Sequence, residues 1–280
     1  MTPESDLSLP PVQGDNSPPV IPEVPLATSP QLPEPVKLGD PPWTGWDVLQ
    51  IAVLTFVSVI VFLPLLGFGA KRLFYPTAQL IDVVAYPVVT VLGQTLSYLL
   101  VLAFMVSVVR RVPGQDLRTA IHWNWPQNWH AYLFGGVALS FGLQAIAHFL
   151  PIPKDLPMDR FFRTPGEAWA LSLFGMTFAP LLEELFFRGF LYPVLVRRLG
   201  DAMAVLLTAL SFSLIHAPQL GRAWGPVLVI FLVGLALTIT RKITNSVGAS
   251  LIMHMAYNGT LSVLLFAGTS GFRHMERLTQ

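Results

Sequence analysis

Apolar residues run in long blocks along this chain instead of alternating with polar ones. Seven blocks stand out, at 46–69, 84–109, 129–150, 166–192, 202–216, 225–240 and 247–267. A membrane-spanning helix needs about 20 mostly apolar residues, and most of the blocks meet that length. The blocks at 202–216 and 225–240 are shorter, which predicts that other helices enclose them. No strand-like alternation or barrel periodicity interrupts the pattern. The expected fold is therefore all-α: a polytopic membrane helical bundle of seven transmembrane helices.

Composition agrees. The chain has 280 residues, 53% hydrophobic and 12% charged, whereas soluble domains carry about 25% charged residues. A net charge of +1 offers no basic surface for nucleic acid. With no cysteine, disulfides, thiol nucleophiles and Cys-ligated metal centres are excluded. Residues 1–43 differ from the rest, with Pro10-Pro11, Pro18-Pro19, Pro33-Glu34-Pro35 and Pro41-Pro42 among Ser, Gln and acidic residues. Such a segment buries too little apolar surface to offset its ordering entropy, so a disordered tail is expected. It shows no basic n-region before a short apolar core, so the first hydrophobic helix is expected to stay as an anchor. The rest divides into N-terminal transmembrane helices at 44–158, a membrane core at 159–268 and a short C-terminal tail at 269–280.

Orientation rests on the basic residues. Lys37, Arg110, Arg111, Arg118, Arg197, Arg198, Arg241 and Lys242 fall on one side, with Lys71, Arg72, Lys154, Arg160, Arg163, Arg222, Arg273 and Arg277 on the other. With the two sides tied, the positive-inside rule favours neither orientation. An amphipathic segment at 158–163 would lie in the interface and discount charges on the second side. That tilts the expectation to an integral, multi-pass protein with a cytoplasmic N-terminus.

Polar groups inside apolar blocks carry the chemistry. Glu183-Glu184 with Arg188 lies in one block, Phe212-Ser213-Leu214-Ile215-His216 in the next, and His254-Met255-Ala256-Tyr257-Asn258 in the last. A charged residue at a helix centre costs roughly 2.5–3.5 kcal/mol on insertion scales, so two adjacent glutamates need a reason. Successive helical residues are rotated by about 100°, so Glu183 and Glu184 cannot both aim at one point. Glu184 and Arg188 are one turn apart in the favourable order, predicting a structural ion pair. Glu183 then faces elsewhere and needs another partner. His254 and Asn258 share a face, as do Phe212 and His216. In a bundle, Glu183, His216, His254 and Asn258 can converge on one polar cavity. A carboxylate, two imidazoles and an amide are the parts needed to activate water and stabilise an oxyanion.

Depth supports convergence. Glu183 and His216 each lie fifteen residues from polar groups at the same end (Arg197-Arg198 and Asp201), so both sit about 22 Å deep at ~1.5 Å per residue. His254, some twelve residues from Arg241-Lys242, comes to ~18 Å by the same rise. Pro180 should bend its helix one turn before Glu183, and Pro218 should end the helix that carries His216. Gln144 and His148, also in an apolar block, have no partner motif and are read as packing or cavity-lining groups.

The pattern Glu183-Glu184-x-x-x-Arg188, Phe212-x-x-x-His216 and His254-x-x-x-Asn258, in order on three apolar blocks, resembles the CPBP family. Its members are the intramembrane CAAX-prenyl endopeptidases and relatives involved in bacteriocin processing and self-immunity. The flanking Ala179-Pro180-x-x-Glu183-Glu184-x-x-Phe187-Arg188-Gly189-Phe190-Leu191-Tyr192 is similar too, and the likeness covers residues 160–265. The resemblance implies Glu183 as general base on water with His216 assisting, His254 and Asn258 as an oxyanion hole, and Glu184 with Arg188 supporting the helix. It also implies eight helices where seven blocks are read, and a membrane-anchored protein or peptide as substrate.

Rival readings remain. Glu183 and the histidines would also serve as interhelical hydrogen-bonding groups, as a proton relay in a transporter, or in a non-catalytic immunity or scaffold protein. No repeat links the two halves as in many transporters. Glu183, His216 and His254 form a conceivable zinc set, but the His-Glu-x-x-His helix that supplies ligands and base together is absent. A metal-free glutamate mechanism without a cofactor is therefore the favoured expectation, with zinc as its rival.

Overall fold

The computed structural model describes residues 41–153, 156–158, 162 and 164–274. Nearly all of the expected tail (1–43), most of the interfacial segment 158–163 and the last residues of the C-terminal tail lie outside them.

Helix α1, Gly45–Phe74, starts at a capping box in which Thr44 N–H donates to Asp47 Oδ2 at 2.8 Å and Asp47 N–H to Thr44 Oγ1 at 3.4 Å. Its reciprocal bonds satisfy donors that no helical carbonyl can reach. A short α2, Leu80–Val84, turns the chain into α3, Pro87–Arg110, which packs along α1. After α4, Leu117–Ala120, helix α5 runs over Trp129–Ala147. Then come α6, Pro165–Met176, with its own capping box from Thr164 and Glu167, and α7, Phe178–Glu184. A π-helical turn, Leu185–Leu191, leads into α8, Tyr192–Leu199. Helices α9, Asp201–His216, α10, Trp224–Thr244, and α11, Val247–Gly268, complete the order.

The described residues form an all-helical bundle, and the protein is an integral, multi-pass membrane protein. Six of its helical segments are long and apolar enough to span, namely Gly45–Phe74, Pro87–Arg110, Trp129–Ala147, Pro165–Leu199, Trp224–Thr244 and Val247–Gly268. Asp201–His216 is the shorter apolar seventh, but other helices do not enclose it: Leu206, Leu210 and Leu214 form an exposed apolar face along it. Block 225–240 is not short: α10 carries on through Arg241 and Lys242 to Thr244, because both cations find partners at the helix end. Arg241 donates to Asn245 Oδ1 at 2.7 Å, and Lys242 lies 3.4 Å from Asp201 Oδ2.

Block 166–192 is not one regular helix either. It breaks at Thr177, whose φ of −124° and ψ of −73° leave the helical region. The cause lies three residues on: in a continuous helix the Pro180 ring would strike the carbonyl of Met176. With the break, Pro180 sits in the first turn of α7, where a missing N–H costs nothing.

Two apolar clusters hold the glutamate-bearing segment from opposite sides. The first joins Ile51 of α1 and Val101, Met105 and Val108 of α3 to Leu182, Leu185, Phe190 and Val194. The second joins Leu143 of α5, Phe212 of α9, Val233 and Leu237 of α10 and Tyr257 of α11 to Phe187. Helices α5 and α11 cross closely at Gly136, where a Cβ would collide with the Met253 carbonyl. Small residues at such crossings let membrane helices approach backbone to backbone.

Aromatic side chains just outside the first and last helices pack into the bundle. Trp43, assigned to the tail by sequence, is 1% exposed. Its ring stacks on Phe190 at 4.2 Å and its Nε1–H donates to the Phe190 carbonyl at 2.9 Å. At the other end Phe272 is buried against Trp169 and Phe266. In each case an aromatic side chain lies just past a helix boundary, and composition averaged over the tail concealed it.

Candidate active site

The π-helical turn places the charged residues. Its i→i+5 spacing widens the helix and displaces carbonyls from the regular ladder. Other elements satisfy them: Arg241 Nε donates to the Arg188 carbonyl at 3.2 Å, and Trp43 serves the Phe190 carbonyl. Within this turn Arg188 is fully buried. Its guanidinium donates to Glu184 Oε1 at 2.7 Å, to the Gly234 carbonyl at 3.0 Å and to Thr238 Oγ1 at 3.3 Å. It also lies 4.7 Å from the centre of the Phe212 ring. Helix α10 reaches it because Gly234 has no side chain between it and Ala209 of α9. The expected Glu184–Arg188 pair is thus present, with both side chains sealed from solvent.

Glu183 points the other way, as helical rotation requires, and its side chain keeps 17% exposure. Its Oε1 lies 3.7 Å from His216 Nε2, and its Oε2 lies 3.7 Å from His254 Nε2. Three elements, α7, α9 and α11, therefore bring Glu183, His216 and His254 to one point. The depth reckoning anticipated this.

Both histidines are held by the opposite ring nitrogen. His216 Nδ1 is 2.7 Å from the carbonyl of Phe212, one turn back on its own helix. A carbonyl only accepts, so Nδ1 carries the hydrogen and Nε2 turns to Glu183. His254 Nδ1 is 2.9 Å from Glu184 Oε1. Phe212, 2% exposed, packs against both imidazoles, with ring centroids 4.8 Å from His216 and 5.7 Å from His254.

Asn258 shares the His254 face, and its Nδ2 donates to the Gly175 carbonyl at 2.8 Å, tying α11 to the end of α6. One N–H of the amide remains for a ligand. Tyr257 is core, 5% exposed. Gln144 and His148 stand outside the site on α5, both exposed.

Two participants escaped the sequence reading. Glu184 binds His254 as well as Arg188; no local spacing reveals a contact between residues seventy apart. Tyr98 of α3 stacks on Phe174 at 5.9 Å and lies within electrostatic reach of Glu183. Tyrosine in an apolar block reads as packing, and only the fold sets it near the carboxylate.

Residues 165–260 match the family model described as type II CAAX prenyl endopeptidase Rce1-like. Over that stretch the chain is similar to the CPBP family. The matched stretch is 96 of the 280 residues and holds Glu183, Glu184, Arg188, His216, His254 and Asn258. Helices α1 to α5 precede it. No curated protein and no solved structure matches the chain.

Proposed function

We propose that this protein is a CPBP-type intramembrane endopeptidase that cuts a membrane-associated protein or peptide with water activated by Glu183. The observation that carries the reading is the Glu183 carboxylate between two imidazole Nε2 atoms at 3.7 Å each, on rings whose Nδ1 atoms are both engaged elsewhere.

A spacing of 3.7 Å is too long for a direct hydrogen bond and fits a bridging water. Such a water donates one hydrogen to Glu183 and the other to His216 Nε2, leaving its lone pairs free. Glu183 takes the first proton as the oxygen attacks the scissile carbonyl carbon, and the carbonyl becomes a tetrahedral oxyanion. Asn258, through its remaining N–H, and His254 are the groups to meet that oxyanion. Because His254 Nδ1 already faces Glu184, donation from Nε2 calls for the imidazolium form. Collapse of the intermediate breaks the C–N bond, and Glu183 returns its proton to the leaving amine.

No step runs through a metal. Stoichiometric zinc in purified protein, required for cleavage after chelation and add-back, would overturn the metal-free mechanism.

The decisive experiment compares wild type with Glu183→Gln on quenched, membrane-anchored peptides in detergent. The expected result is cleavage by wild type and a loss of at least about 100-fold in the variant, with unchanged insertion and thermal midpoint. Equal cleavage by both would remove Glu183 as the base.

A further inference from the structure

Glu184 Oε1 receives two groups at once, the Arg188 guanidinium at 2.7 Å and His254 Nδ1 at 2.9 Å. A guanidinium is a permanent donor. Protonating Glu184 would strip that fully buried cation of its nearest counter-ion, so Glu184 stands as a carboxylate and the ring nitrogen facing it carries the hydrogen. His254 is 2% exposed and Glu184 0%, so no solvent water replaces this acceptor. The Phe212 ring packs against the imidazole at 76° in a T-shaped contact.

His216 reaches the same state by a different route, through its own helix carbonyl. On α11 no such local bond holds His254, and the acceptor comes from α7 instead. We propose that Glu184 is a positioning residue: it holds His254 with hydrogen on Nδ1 and Nε2 aimed at Glu183, while Arg188 keeps Glu184 an acceptor. The Glu184–Arg188 pair then does more than support a helix. The proposal rests on the hydrolase reading only for its effect on rate; the ring state stands apart from it.

The test uses full-length protein carrying 15N-labelled histidine in detergent, with the His254 signals assigned by their loss in His254→Gln. In wild type the imidazole should show a protonated Nδ1; a bare Nδ1 with hydrogen on Nε2 alone overturns the proposal without any variant. Replacing both buried charges together, Glu184→Met with Arg188→Met, avoids leaving one charge unpaired. That variant should fold, lose the single Nδ1–H state, and lower kcat at least about 100-fold with little change in KM, as when the orienting partner of a catalytic histidine is removed. Glu184→Gln with Arg188→Met retains an acceptor oxygen and should restore the ring state. An unchanged His254 spectrum in the double-methionine variant, or unchanged kcat, returns the pair to a purely structural role. Absence of cleavage by wild type beside the expected spectra would sink the hydrolase reading and leave Glu184 as the partner that orients His254.

Discussion

His254 Nδ1 lies 2.9 Å from Glu184 Oε1, and the contact ties α11 to α7 across seventy residues. The same oxygen holds Arg188, so one carboxylate anchors an imidazole and a guanidinium in a fully buried position. Buried pairs of this kind are costly to break and cheap to replace as a unit.

Arg188→Met alone therefore leaves Glu184 ionised and buried with only His254 and the Ser250 hydroxyl beside it. We expect a loss of about 3–5 kcal/mol, read as a lower unfolding midpoint in detergent. Combining it with Glu184→Met should recover most of that loss, because no charge is then left unpaired. A double variant no more stable than Arg188→Met would show that the partners around the guanidinium, Gly234 and Thr238, set its stability instead.

The bundle was legible in the sequence because lipid imposes a simple requirement: every spanning segment must be apolar and internally hydrogen-bonded. All seven apolar blocks are helical. The convergence of Glu183, His216 and His254 was legible too, since helical rise converts residue spacing into depth. The π-helical turn over Leu185–Leu191 was not. Its carbonyls are satisfied by Trp43 and Arg241, which lie far off in the chain, so nothing local distinguishes it from an ordinary helix. The second contact of Glu184 was hidden for the same reason. An i,i+4 neighbour explained the residue fully and left no sign of a further partner.

Trp43 should prove a strong determinant of stability, although it precedes the first helix. Trp43→Ala removes a buried ring stacked on Phe190 and leaves the Phe190 carbonyl without its donor. The expected cost is about 3–5 kcal/mol. Trp43→Phe keeps a ring over Phe190 but loses the N–H and part of the indole's buried volume, costing about 1–3 kcal/mol. Chemical unfolding of both variants would separate the two contributions; equal losses would mean that the hydrogen bond dominates.

Phe212 joins packing to chemistry. It packs against both imidazoles and lies over the Arg188 guanidinium. Phe212→Leu keeps an apolar side chain but removes the flat ring and some buried volume, and should cost about 0.5–3 kcal/mol. Cleavage should fall well beyond what that loss predicts, because His216 and His254 gain freedom to turn. Activity that tracks stability alone would show that their Nδ1 bonds suffice to hold them.

His122, in the loop between α4 and α5, supplies the expected pH dependence of stability. Its backbone has φ of +58°, and its carbonyl accepts from Val247 N–H at 3.2 Å. Asn245 gives its Oδ1 to Arg241, which leaves its Nδ2 to donate to His122 Nδ1 at 3.1 Å. That nitrogen must therefore be bare. Burial, and then the positive charge of Arg241, hold the His122 pKa below its usual 6.5. The unfolded chain then binds the proton more readily than the folded one, so stability rises with pH across the interval between the two values. The contribution is fully present above about 6.5 and is lost as pH falls through the folded value. The unfolding midpoint of wild type should drop on acidification below pH ~6.5, and His122→Gln should flatten that part of the profile. An unchanged slope in His122→Gln would assign the acid sensitivity to another group.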